Sequence, residues 1–413
     1  MTGMIVPTYS LVERDRRWNL ARTFMDREGL DALLVFSEHE DAGPAPFCFD
    51  TWFTNDRPGA IIVFPRTSEP TALVWHAADQ TEYALRGDVL WLAPENRRVG
   101  HHNSGGIVNL LNEFGLTKAT IGVVGLEPYL PFLPAGVVPH QLWSAVQTKF
   151  PDAEFKPVGL VLARLMMPQS DEEIALVRHS ASIGDAMARA MVDAAGPGVA
   201  ESEVYAAGMA AAYVRGTVAA AMHLWSGPEP LGMGLPPWAY RAQAPRVLRD
   251  GDVIKSEVFC SFGMRATQHQ VTIAVGEVHE DFERAAVVAR ESYDAGLRAL
   301  RPGRTFDEVV EEMRRPLEAV ASLPVYPLIH TLNPIDAIGG GVLLTSGDLV
   351  LEPGMTFALE PYCLFGRRRV TLGGTVIVGD DEAIELNPYT AQLLRAGNSG
   401  HSTGARDGGD GRE

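Results

Sequence analysis

Ser170 stands three residues before Glu173, at the head of a run in which Ile174, Val177, Ala181, Gly184, Ala188 and Met191 recur at steps of three and four. A serine and a glutamate so spaced form a capping box, in which each side chain satisfies the other residue's free backbone N–H. The recurring residues give the helix one small, apolar face. Gly196-Pro197 then stops it. This helix divides the chain. Before it the pattern alternates between two periods. LVERDRRWNLARTFMDREGL and HQLWSAVQTKF read as helical, whereas DALLVFS, GAIIVFP, PTALVWH and ATIGVVG are short β-rich runs bounded by Gly and Pro. The expectation is an α/β domain over residues 1–160. After the boundary, ESEVYAAGMAAAYVRG and DFERAAVVARESYDAGLRAL read as helices, and strand-rich sequence separates them. Thr305 and Glu308 form another capping box, and MTFALEP, RRRVTLG and TVIVGD close the pattern as strands. That describes an α+β domain over residues 161–395, with a polar, disordered tail over 396–413.

The chain has 413 residues, 46% of them hydrophobic, which is enough for two cores. Its formal net charge of −17 disfavours nucleic acid and anionic membranes as partners and steers in cationic or neutral ligands. Cys48, Cys260 and Cys363 are odd in number, widely spaced and form no CxxC pair. A disulfide framework and a zinc finger are therefore not expected, and a reducing compartment is. The N-terminus lacks the basic-then-apolar order of a signal peptide, and no apolar run approaches the length of about 20 residues that spans a membrane. The location expected is cytoplasmic.

The order of motifs is more specific. R-L-x-x-P-x-S-x-E-E-I (from Arg164) is followed by SGP, GDVIKSE, RPGRTFDEV, IHTLNP, LEPGMTFALEP and GGTVIVGDDEAIEL. This series resembles the creatinase/aminopeptidase P, or pita-bread, superfamily over residues 164–388. The resemblance implies an α/β N-terminal creatinase-like domain followed by an α+β pita-bread catalytic domain. It also implies five metal ligands in the metallopeptidase members: two Asp, one His and two Glu. Position by position these fall on Glu257, Gln268, His330, Glu360 and Gly373, and a further family histidine falls on Ala337. Two ligands are thus replaced outright, so no metal and no other cofactor is expected. Restoring both, by Gln268→Asp with Gly373→Glu, would be expected to create divalent-cation affinity.

Creatinase dispenses with metal, and ectoine hydrolase resembles this chain in having Glu at the first Asp position. The resemblance therefore implies catalysis by Glu257 and Glu360 as paired carboxylates, one holding a proton at raised pKa, with His330 binding substrate or sharing the proton. Whether Glu257 is base or nucleophile stays open. Gln268 and Gln270 share one face of their strand with Thr272 and read as substrate-binding amides, while His269 points the other way and reads as structural. Between SGP and GD the chain has no histidine; Tyr240 and Trp238 fall nearest to the place of creatinase's catalytic one. In dimeric creatinase-like enzymes an Arg and a Phe reach the partner's site, and Arg57 and Phe53 in FDTWFTNDRPGA match them in placement. The expected protein is a homodimer acting on a small-molecule substrate: a metal-independent hydrolase of a C–N bond in an amidine, cyclic amide or amino-acid derivative. The alternatives are a Xaa-Pro aminopeptidase- or dipeptidase-like metallohydrolase with degenerate ligands, a lyase, and a non-catalytic pita-bread binding module.

Overall fold

The computed structural model describes residues 6–38, 49–76, 79–100, 103–128, 137–217, 222–320, 328–335 and 346–397. Cys48, Ala337 and all but two residues of the expected tail lie outside them. The first half builds a mixed sheet of β1 (Ala32–Val35), β2 (Ile61–Pro65), β3 (Thr71–Val74), β4 (Arg97–Val99), β5 (Thr120–Val124) and β6 (Glu154–Pro157), in the order β4-β3-β2-β1-β5-β6. Its runs are apolar on both sides because both faces are covered. Leu33, Val35, Ile62 and Phe64 pack on Trp18, Ala21, Phe24 and Met25 of the Leu11–Glu28 helix. Leu34, Val63, Ile121 and Val123 pack on the Ser104–Glu113 and His140–Lys149 helices.

FDTWFT forms the helix Phe49–Thr54, and all six of its residues are buried. Phe53 has 0% exposure and packs edge-on against Trp52 and Phe64. A ring locked in its own subunit's core has no surface left for a partner's substrate, which corrects the role implied for Phe53.

The second half is a curled sheet made of β7 (Met222–Gly227), β8 (Val253–Phe262), β9 (Arg265–Ala274), β10 (Ile329–Thr331), β11 (Thr356–Leu359) and β14 (Gly373–Val378), in the order β10-β11-β14-β9-β8-β7. β15 (Ala383–Glu385) adds to β14, and β16 (Leu394–Arg395) adds to β9. β12 (Tyr362–Phe365) and β13 (Arg368–Thr371) form a separate hairpin. The Asp171–Ala194 helix lies against β8 and β9 with the capping box in place at Ser170 and Glu173. Its small face has a local reason. A Cβ on Gly184 would stand 1.8 Å from Nε2 of His269, so only glycine admits that ring. His269 is wholly buried there, a structural residue on the face away from Gln268 and Gln270.

Glu173 does more than cap. One carboxylate oxygen accepts from Arg16 at 2.7 Å and from the Ser170 N–H at 3.0 Å. The other lies 3.2 Å from Arg17 and 3.4 Å from Arg265 and accepts from Trp52 Nε1 at 3.2 Å. It thus joins the first helix, the Phe49–Thr54 helix and β9 at one buried point. Glu173→Ala leaves the buried guanidinium groups of Arg17 and Arg265 short of a counter-ion. The expected cost is about 3–5 kcal/mol of stability, read as a lower denaturant midpoint at unchanged slope.

Candidate active site

Glu257 sits mid-strand in β8, in register with His223 on β7 and with Gln270 on β9. Directly opposed residues share a face of the sheet, so the three side chains meet. His223 Nδ1 lies 2.6 Å from Glu257 Oε2. Gln270 Nε2 donates to Glu257 Oε1 at 2.8 Å, and Gln268 Nε2 donates to the same oxygen. Glu360 approaches from the far side of the sheet. It follows β11, its N–H donates to Leu328 O at 2.9 Å, and Pro361 ends the strand pairing. Glu360 Oε2 accepts from both glutamines, at 2.8 Å from Gln268 and 2.5 Å from Gln270. Two amide groups therefore bridge two carboxylates with four N–H bonds.

His330 completes the set from β10. It is wholly buried, with Nδ1 2.9 Å from Thr331 O and Nε2 3.4 Å from Glu360 Oε1. A carbonyl only accepts, so Nδ1 carries a proton. The approach of Nε2 to Glu360 is then attractive only when a further proton sits on one of the two groups. At that distance His330 and Glu360 can hold one further proton between them.

Electrostatics bear on which of the two carboxylates is ionised. Burial alone would push the Glu257 carboxyl up, but the hydrogen bond and charge of His223, the charge of His330 and the hydrogen bond from Gln270 outweigh it. The Glu257 carboxyl lies below its usual range, so it is the ionised member and not the raised one. His223 is the main reason, and the Gln270 N–H adds to it.

The other expected residues are placed differently. Gln268 and Gln270, at 0% and 1% exposure, are in the centre of the site as expected. Tyr240 is 62% exposed, one residue past the Pro237–Ala239 turn, outside this buried set. Arg57 is exposed and lines a cleft of about 500 Å³ with Tyr9, Asp56, Tyr83 and Trp91 in the first half of the chain. His223 was not singled out from the sequence. The only signal for it was a histidine in the strand-like run AMHLWSG, and its match to Glu257 depends on a register set across 34 residues.

The family's pair of cations does not fit these residues. Both glutamines turn N–H groups, not lone pairs, towards the space between the carboxylates. Gly373 has φ of +113°, and a Cβ there would lie 2.1 Å from Leu359 O and 3.0 Å from the Tyr293 ring. No side chain can take the place of the second glutamate without moving β11, which overturns the expectation that Gly373→Glu would help restore a metal site. Among the described residues, no three His, Cys, Asp or Glu side chains converge as a metal would require.

An α/β half followed by a curled sheet beside the long Asp171–Ala194 and Glu280–Ala299 helices, with the polar set on the sheet face away from His269, defines a pita-bread protein. Comparison with known proteins agrees. The model for "Metallopeptidase family M24" matches residues 175–382, and the chain belongs to that family. A probable dipeptidase PepE of Mycobacterium bovis is 28% identical over 239 residues, which are 57% of this chain and 62% of the relative. The chain thus spans less than two thirds of that relative's length. A creatinase from a Bacillus species is 24% identical over 384 residues, 90% of this chain and 88% of the relative. Among solved structures, the Xaa-Pro dipeptidase from Bacillus anthracis superposes with a TM-score of 0.70 at 18% identity, covering 92% of this chain and 99% of that one. The dipeptidase PepE from Mycobacterium ulcerans gives 0.69 at 18% identity, covering 94% and 99%. No helix among the described residues is long and apolar enough to cross a membrane.

Proposed function

We propose that the protein is a metal-independent hydrolase of C–N bonds in small polar substrates: amidines, cyclic amides or amino-acid derivatives. The names of the dipeptidase relatives bring dipeptides within the same class. The observation that carries this reading is the 2.6 Å contact of His223 with a buried carboxylate that lies below its usual range. Glu257 fixes the Nδ1–H tautomer of His223, which leaves Nε2 as the base, the logic of an oriented imidazole. His223 takes a proton from water, and the oxygen adds to the substrate carbon. The His330–Glu360 pair gives its proton to the departing nitrogen, the C–N bond breaks, and an amine leaves. Glu257 acts here as a positioning group. Attack by Glu257 itself is disfavoured because both lone pairs of Oε1 are engaged by the glutamines. Gln268 Oε1 is buried and has no hydrogen-bond partner among the described residues, so it suits an N–H of the substrate. The homodimer stays part of the proposal, with exposed Arg57 as the group facing the partner copy.

The test is amine release from a panel of N-acyl amino acids, dipeptides, cyclic amides and amidines in metal-free buffer with chelator. Turnover of at least one class, unchanged by the chelator, is expected. Turnover that appears only with added divalent cation would overturn the reading.

A further inference from the structure

Beside the carboxylate pair lies a second polar group for which the mechanism has no use. Lys255 precedes Glu257 by two residues on β8 and so projects from the same face. It is 3% exposed, and its Nζ has no hydrogen-bond partner among the described residues. Trp225 stands directly opposite it on β7, and the indole Nε1 is likewise buried and without an acceptor. The loop through Gly232 crosses that indole so closely that a Cβ would lie 2.1 Å from the ring, which keeps water off it. On its other side Lys255 pairs in register with Thr272, whose hydroxyl donates to Thr371 O at 2.6 Å. That contact clamps β13 onto β9 and brings in Arg369, two residues from Thr371. Arg369 rests on the Tyr362 ring at 3.9 Å, and its Nε also has no acceptor.

The unsatisfied nitrogens, one from each of three strands, are all donors. Buried donors without acceptors are costly, so a cluster of them marks a place where an acceptor belongs. Glu257 and Glu360 do not fill it, since the glutamines and histidines already hold them. We propose that Lys255, Trp225 and Arg369 form a carboxylate-binding subsite, and that the substrate is a small amide or amidine bearing a carboxylate one residue's length from the bond that is cut. The spacing follows from the strand: residues two apart are about 7 Å apart along β8, which leaves room for one amino-acid unit between anion and reacting carbon. The Lys255 amine fits this role. Its buried Nζ, on the same face of β8 as Glu257, is placed to donate to an arriving carboxylate.

This rests on the proposed hydrolase reading only for the word substrate; the binding itself is tested without turnover. The probes are N-acetylglycine, its neutral amide N-acetylglycinamide, and acetate, titrated calorimetrically into parent protein, Lys255→Met and Trp225→Phe. The parent is expected to bind N-acetylglycine at least about tenfold more tightly than the amide. Lys255→Met should lose that preference, and Trp225→Phe, which removes only the N–H, should lose part of it. Equal binding of acid and amide by the parent, no binding of either carboxylate, or a preference kept intact in both variants would overturn the subsite. The two readings fail separately. A parent that prefers the acid but releases no amine from any of the panel keeps the subsite and loses the hydrolase. A parent that hydrolyses neutral and anionic congeners with equal kcat/KM keeps the hydrolase and loses the subsite.

Discussion

Glu257→Gln is expected to lower kcat by about 10³–10⁴-fold while the protein stays folded. The substituted amide keeps its carbonyl towards Gln268 and Gln270, so the bridge between strands survives. Its NH₂ group faces Nδ1 of His223, which now must accept instead of donate. The proton moves to Nε2, and the base is lost to the wrong tautomer. Removing the charge also weakens the contacts that hold the Glu257 carboxyl below its usual range, so a modest fall in the thermal midpoint is expected beside the much larger loss of activity. Kinetics alongside a circular-dichroism melt check both. Activity kept per folded molecule, whatever the midpoint, would make Glu257 a structural residue. Glu360→Gln is expected to behave alike, because it removes one half of the pair that protonates the leaving nitrogen.

The second large effect concerns stability and comes from Gln268→Asp. In the parent, Gln268 Nε2 gives one hydrogen bond to each carboxylate. An aspartate withdraws both and adds a third negative charge at 0% exposure. Hydrogen bonds to charged groups contribute about 1.5–3 kcal/mol each, so a loss of about 3–6 kcal/mol is expected in metal-free buffer. At about 2–4 °C per kcal/mol for a chain of moderate size, the thermal midpoint falls by roughly ten degrees or more. The introduced carboxylate would join Glu257, Glu360 and His330 to offer oxygen ligands and an imidazole, a set suited to a divalent cation. Millimolar manganese should therefore recover much of the loss in the variant and leave the parent's midpoint unmoved. A variant as stable as the parent without metal would mean that the amide bridge does not hold the two carboxylates together.

These residues also show what a sequence can display. The capping boxes at Ser170 and Thr305 were legible because each is satisfied within four residues. The strands were legible through their period and their Gly and Pro boundaries, and Gln268 and Gln270 were placed on one face by that period alone. Glu257, His330 and Glu360 come together from three strands far apart in the chain, so only the order of motifs pointed to their meeting. His223 stayed hidden because nothing local distinguishes a strand histidine in register with Glu257 from one a residue out of register. The Phe49–Thr54 helix stayed hidden because a six-residue helix of Phe, Asp, Thr and Trp has little intrinsic propensity; burial of Trp52 and Phe53 makes it. Which of the two carboxylates is ionised stayed open for a related reason. Which end of a glutamine amide faces a carboxylate is decided by neighbours from other strands.

In the proposed mechanism amide N–H groups stand in the place of cations and catalysis proceeds without metal. Elemental analysis of protein grown with added manganese, cobalt, zinc and iron, made on the fractions that release amine, tests it most directly. Far less than one equivalent of any of these metals per chain is predicted, with activity that does not follow metal content from fraction to fraction. Close to two equivalents per chain, rising and falling with activity, would contradict it.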